Sequence, residues 1–214
     1  AVFVFVFWAH LRITVVAVWT EITPFDHDGE FYRFEQNLSE VRTFQKPHVP
    51  LYFGGASDVA KEVGAKRADV YALWGEPLAS IKEQIADIRA RAANYGRTIK
   101  FSVSVRPILG DTEGEAWERA QGILERVKSS VGDTIGPGKP ARLQSEGSRR
   151  LLNFASQGDI HDKRLWMPIA ATTGAAGNTT ALVGTAEQVS ESLLAYHQAG
   201  ADAFIIRGFD PMQD

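Results

Sequence analysis

Residues 50–77 read PLYFGGASDVAKEVGAKRADVYALWGEP, and their order decides the fold. Val49 to Phe53 is a short apolar strand running into Gly54-Gly55-Ala56-Ser57. Ser57 or Asp58 caps a helix reaching about Arg67. Asp69 to Trp74 is a second strand, closed by Gly75-Glu76-Pro77. A strand, a tight turn, a helix and another strand form one βα unit and the strand after it, which implies parallel pairing. The turn joins a strand's C-terminal end to a helix N-terminus, where free N–H groups and the helix dipole favour an anion. Glycine lets the backbone approach that anion closely. Gly54, Gly55, Ala56 and Ser57 are therefore the candidate phosphate seat, with the Ser57 hydroxyl as an added donor. The plainer alternative is a tight turn with an N-cap.

The alternation continues downstream. Leu78, Ile81, Ile85, Ile88 and Ala92 recur every three or four residues, so Leu78 to Tyr95 is an amphipathic helix stopped by Gly96. Ile99 to Leu109 is a strand. Thr112 and Glu115 form a capping box for a helix through about Lys128. Val131 to Pro140 is a loop rich in Gly and Pro, and Ala141 to Ala155 is helical. Thr172 to Thr180 (TTGAAGNTT) is a small-residue loop, either a lid or a plain connection. Thr185 and Gln188 cap a helix ending at Gly200, and Ala203 to Arg207 is the last strand. Upstream, Asp28-Gly29 turns a hairpin between Phe25 and Phe34. The first residues, AVFVFVFWAHLRITVVAVW, suit a buried strand from Val2 to Trp8 and a helix from about Leu11 to Trp19. They lack the basic start of a signal peptide, and His10 and Arg12 interrupt them short of the roughly 18 apolar residues of a membrane span.

The strand from Ile99 to Leu109 carries the first sign of chemistry. Phe101, Val103 and Val105 share one face; Ser102, Ser104 and Arg106 share the other. An open doubly wound sheet would want both faces apolar. In a (β/α)8 barrel one face meets helices, and polar residues near the strand's C-terminal end enter the active site. Arg106 sits at that end as a candidate site residue, against the alternative of a solvent-facing arginine. Arg207 occupies the corresponding place on the last strand. Trp74 walls a planar ring or packs in the core. Glu76 caps the following helix, with Pro77 helping to start it.

Bulk properties narrow the classes. The chain has 214 residues, a formal net charge of −3 and a pI near 6.0, which supplies no basic face for nucleic acid. It has no cysteine, so disulfides, thiolate metal sites and a cysteine nucleophile are excluded within these residues. That fits a reducing cytoplasm. The five histidines are scattered without metal-ligand spacing, and no HExxH, GxSxG, P-loop or GxGxxG occurs.

Taken together, FDHDGEFYRFE (25–35), PLYFGGASDVAKEV (50–63), DVYALWGEP (69–77), IKEQIADIRARAANYGR (81–97), FSVSVRPILGDTEGEAW (101–117) and TALVGTAEQVSESLLAYHQAGADAFIIRGFDP (180–211) resemble the bacterial-luciferase-like flavin monooxygenases, most closely the alkanesulfonate monooxygenase branch. The resemblance runs from about Val15 to Asp214. It implies a (β/α)8 barrel, reduced FMN supplied by a separate flavin reductase, and use of dioxygen to oxygenate a small-molecule substrate. A homo-oligomer is expected, and the charge and hydropathy point to no nucleic-acid or membrane partner. Gly54 to Ser57 maps onto the family's phosphate-binding turn. In the alkanesulfonate branch the reaction cleaves a carbon–sulfur bond.

The resemblance also marks departures. Ser104 stands at the branch's Arg, Arg106 at its His, Thr173 at its mobile-loop Arg and Phe209 at its late-strand Tyr. Alkanesulfonate specificity is therefore not carried over; Arg106 and Arg207, with Ser104 and Phe209 beside them, are expected to hold another anionic or carbonyl-bearing compound. The motifs correspond to strands five to eight, and the first four have no matching sequence. The expectation is one partial barrel domain over residues 1–214, with an anomalous apolar segment at 1–14 and an insertion with a mobile loop at 129–183. Two alternatives remain: a non-catalytic, self-assembling half-barrel, and a deazaflavin-dependent oxidoreductase.

Overall fold

The computed structural model describes residues 15–29, 32–131, 145–177 and 179–209. The strand expected at Val2–Trp8, the loop expected after Val131 and the first residues of the helix expected from Ala141 lie outside them. Residues 15–20 are helical (α1). The elements then run β1 (Phe25–Asp28), β2 (Arg33–Asn37), β3 (Tyr52–Gly54), α2 (Asp58–Arg67), β4 (Val70–Trp74), α3 (Leu78–Ala93), β5 (Lys100–Leu109), α4 (Glu113–Val131), α5 (Glu146–Gln157), β6 (Ile160–His161), β7 (Leu165–Trp166), α6 (Pro168–Thr172), β8 (Ala181–Gly184), α7 (Ala186–Gln198) and β9 (Ala203–Ile206). Among the described residues no helix is long and apolar enough to cross a membrane.

β3, β4, β5 and β9 lie side by side, and every pair is parallel. This is half of a (β/α)8 barrel, with the four strands that the sequence alternation marks in the expected order. One sheet face is covered by helices. Tyr71, Leu73, Phe101, Val103 and Val105 join Ile81, Ile85, Ile88, Val189 and Tyr196 in one buried cluster. The amphipathic stripe of α3 is thus spent on the alternate residues of β4 and β5. Two of the βα units close in the same way. The Asp69 carboxylate accepts from the Leu51 N–H at 2.9 Å, and the Asp202 carboxylate accepts from the Phe101 N–H at 2.8 Å. In both, an aspartate just before a strand clasps the strand of the preceding unit.

β5 does more than its neighbours because it is longer. In a parallel sheet, alternate residues turn their backbone groups to opposite edges. The Ser104 carbonyl accepts from the Gly75 N–H at 2.8 Å on the β4 edge. Two residues on, β4 has ended and the Arg106 N–H donates to the Thr180 carbonyl at 3.1 Å. From there β8 runs parallel to β5, pairing Arg106–Leu109 with Ala181–Gly184. On the opposite edge β9 pairs as far as Val105. Pro107, which has no N–H to donate, falls beyond that point. Gly75 sits where β4 gives way to β8: a Cβ there would meet Thr180 Oγ1 at 2.7 Å and Val105 Cγ1 at 2.9 Å.

β7 and β6 extend this branch antiparallel. Strands β6, β7 and β8 correct the sequence reading, which leaves 159–170 and 181–184 without strand assignments. They span two to four residues each, too short to display a period. A second buried cluster fills the space beneath them, with Ile108, Ala120, Ile123, Trp166, Ile169 and Val183 among its members. Glu113 ties its rim together. Its carboxylate accepts from Arg164 at 2.7 and 3.2 Å and from Gln188 at 2.8 Å. Those hydrogen bonds, chiefly from Arg164, hold its pKa down at about 2.

The outer edges of β3 and β9 pair with no other described strand. Tyr52 on β3 is 57% exposed and Ile206 on β9 is 56% exposed. These are the edges at which a full barrel would continue.

Two predictions follow from this packing. A Cβ at Gly64 would lie 2.2 Å from Tyr71 Cε2, and the Tyr71 hydroxyl is held by donation to the Gly55 carbonyl at 2.7 Å. Gly64→Ala should therefore destabilise the fold by about 1–3 kcal/mol, read as a lower urea midpoint. Glu113 sets an acid limb. A carboxylate whose pKa falls on folding stabilises the native state above its unfolded pKa, and that contribution is lost as pH falls through the folded value. Stability should decline from about pH 4.5 towards about pH 2 through this group. In Glu113→Gln that part of the decline should be absent from melting temperatures measured across the range.

Candidate functional site

The sheet face turned away from the helices is the barrel interior, and strand register arranges it in rows. Gly54, Ala72, Ser102 and Ala203 lie abreast across β3, β4, β5 and β9. All four are small, so little side-chain volume stands on this row. One step nearer the C-terminal ends, Trp74, Ser104 and Ile205 lie abreast. Arg106 and Arg207 follow at the rim. Ser102 is fully buried, and its hydroxyl is a buried polar atom without a hydrogen-bond partner. Such an atom is costly in a finished core.

The Gly54–Ser57 turn lies at the β3 end of this rim. Ser57 is the N-cap of α2, its Oγ accepting from the Ala60 N–H at 3.3 Å. Acting as a cap leaves its hydroxyl proton available to a ligand. The first amides of α2 have no acceptor within the helix. The Asp58 carboxylate, at the same helix start, is drawn to Arg91 at 3.0 Å. Gly55 packs against α2 so closely that a Cβ would sit 2.6 Å from the Ala60 Cβ. The glycine thus serves helix–strand packing as well as access.

At the other end, Arg106, Arg207 and Phe209 come together. Arg106 is half-buried, donates to the Gly208 carbonyl at 3.0 Å and lies over the Phe209 ring, 4.9 Å from its centre. Burial, followed by the like charge of Arg207, lowers its pKa from the usual arginine value. Arg207 itself is exposed. Ser104 is half-buried beside Arg106 on β5, and Trp74 lies between the two ends on β4. All nine candidate residues therefore share one rim, although β4 separates the phosphate turn from Arg106, and β4 and β5 separate it from Arg207.

Two structural roles were not legible in the sequence. Glu76 does not cap α3, whose N-cap, Pro77, has no side-chain cap bond. It is instead 3% exposed and forms a two-point pair with Arg150 of α5, at 3.0 and 2.7 Å. Ser80 and Gln84 donate to the same carboxylate at 2.6 and 2.9 Å. The Tyr196 hydroxyl donates to the Glu76 carbonyl at 2.7 Å. The partners come from α3, α5 and α7, so no local spacing announces them. The second role belongs to 172–180. Ala175 is fully buried in the helix-side core, and its carbonyl accepts from Ser148 Oγ at 2.8 Å.

The chain belongs to the luciferase-like monooxygenase family, whose description matches residues 14–203. A riboflavin lyase (RcaE), solved with modified FMN and riboflavin, superposes with a TM-score of 0.70 at 19% identity, covering 97% of this chain and 54% of that one. EDTA monooxygenase (EmoA) from Chelativorans sp. BNC1 gives a TM-score of 0.67 at 17% identity, over 94% and 53%. A coenzyme F420-dependent tetrahydromethanopterin reductase from Methanopyrus kandleri gives 0.60 at 13% identity, over 96% and 57%. The chain thus spans about half the length of these solved proteins.

The Glu76–Arg150 pair should respond unequally to loss of its partners. Removing Arg150 strands a carboxylate in the interior, whereas removing Glu76 leaves a guanidinium with 29% side-chain exposure that can turn to water. Arg150→Met should cost on the order of 3 kcal/mol, and Glu76→Gln less. Urea unfolding of both variants tests the order.

Proposed function

We propose that this chain supplies the phosphate seat and part of the substrate pocket of a reduced-FMN-dependent monooxygenase. It would act with dioxygen on a small, organosulfur or related anionic compound, with FMN reduced by a separate flavin reductase in the cytoplasm. The observation that carries the reading is the alignment of Gly54–Ser57, Trp74, Ser104 and Arg106 along one rim of parallel strands. The row of small residues, with the unpartnered Ser102 hydroxyl in it, is compatible with a planar, polar-edged ring system lying along the strands. Gly54 to Ser57 and the first turn of α2 would hold the phosphate, and Trp74 would flank the ring. Bound reduced FMN would supply the electrons with which dioxygen places one oxygen atom on the substrate and releases the other as water. Arg106, half-desolvated, would bind an anionic or carbonyl oxygen more strongly than an exposed arginine. Phe209 would fix the guanidinium plane, and Ser104 would offer a neutral hydroxyl beside it. Arg207 would add charge at the entrance.

The test is an assay of the chain with flavin reductase, NADH, FMN and oxygen, followed by release of aldehyde or sulfite. Arg106→Ala should reduce turnover by about 100-fold or more with FMN affinity changed little. Unchanged turnover overturns the role of Arg106.

Two other readings have specific support. Among the described residues the outer edges of β3 and β9 pair with no strand, which favours a self-assembling half-barrel without catalysis, recognised by a concentration-dependent increase in mass and no flavin binding. Likeness to a coenzyme F420-dependent reductase favours a deazaflavin. Titration with both cofactors side by side separates it from FMN.

A further inference from the structure

Within its first two turns, α5 makes three different contacts. Gly147 lies against the Trp74 ring, so close that a Cβ would sit 2.9 Å from Cζ3. Ser148 donates to the Ala175 carbonyl at 2.8 Å. Arg150 grips Glu76 with two nitrogens and also donates to Ser80 Oγ at 2.8 Å. Glu76 stands two residues beyond Trp74 on the same strand end. The ion pair and the glycine contact therefore fix one helix against one short segment at two points, about one helical turn apart.

The anchor itself is rigid. Ser80 and Gln84 hold the Glu76 carboxylate, and Tyr196 holds its carbonyl. The hydrogen bonds that Arg150 donates to Glu76 raise the Arg150 pKa, so the guanidinium keeps its charge across the accessible pH range. Force applied at Arg150 reaches two places: the Trp74 ring through Gly147, and the 173–177 turn through Ser148. That turn leads to Thr180, whose carbonyl receives the Arg106 N–H.

We propose that Arg150 is a positioning residue, anchored on Glu76, that sets both the Trp74 ring, through Gly147, and the 173–177 turn, through Ser148. The inference rests on the proposed flavin reading for its functional consequence, but not for its structural one. Arg is required rather than Lys because two parallel donors define an orientation, whereas an ammonium defines only a point.

The test uses the full chain with Arg150→Ala and Arg150→Lys. In ligand-free protein, amide hydrogen exchange is read at Ala175, Ala176 and Gly177, whose N–H groups donate to Ala170, Thr173 and Ala175. Both variants should exchange there about tenfold faster or more, over and above the acceleration that lost global stability brings to α2 and β5; acceleration equal to that of β5 overturns the proposal. Methylguanidinium should restore protection in Arg150→Ala, and methylammonium should not. FMN affinity should fall in parallel and recover with the same additive. If the alanine variant does not fold, the lysine variant alone decides. Exchange within twofold of the parent in a folded variant overturns the proposal. Failure of the parent chain to bind FMN overturns the flavin reading instead, and leaves the exchange result to judge Arg150.

Discussion

The structure turns on the edge of β5, where one partner strand is exchanged for another. Backbone groups of Ser102 and Ser104 face β4, and those of Arg106 and Ile108 face β8. The exchange has to occur within two residues if no ladder group is to be left buried and unpaired. Gly75 makes it possible by giving up its side chain where the two strands meet. Pro107 marks the opposite edge, two residues past the last pairing with β9. From this junction follow the second core beneath β6–β8, the approach of α5 to Trp74 and the position of Arg106 at the rim.

The barrel part of this arrangement could be read in advance because its signals are local. Ser57, Thr112 and Thr185 each cap a helix through bonds within three residues. Gly96 and Gly200 end helices with positive φ. The alternation of Phe101, Val103 and Val105 against Ser102 and Ser104 is a period-two pattern, and burial and register follow it. The rim was legible for the same reason: a residue near the C-terminal end of a barrel strand has a predetermined place.

The parts that could not be read depend on distant partners. Glu76 and Arg150 are 74 residues apart, and neither stands out beside its neighbours. The strand 181–184 lies between a small-residue loop and a capping box, and it takes its identity only from the free edge of β5. Ala175 looks like linker in TTGAAGNTT, yet it enters the core because Ser148 holds its carbonyl. In physical terms, propensity and period describe what a segment does to its own neighbours. They do not describe what a longer strand elsewhere offers it.

Among the described residues, β3 and β9 bound the run of four parallel strands, and the outer edge of each pairs with no other strand. A parallel neighbour cannot be joined to such an edge by a tight turn; it needs a crossover of about a dozen residues or more. The two edges therefore set a minimum length of connecting chain, and a handedness, for any parallel strand that extends the sheet.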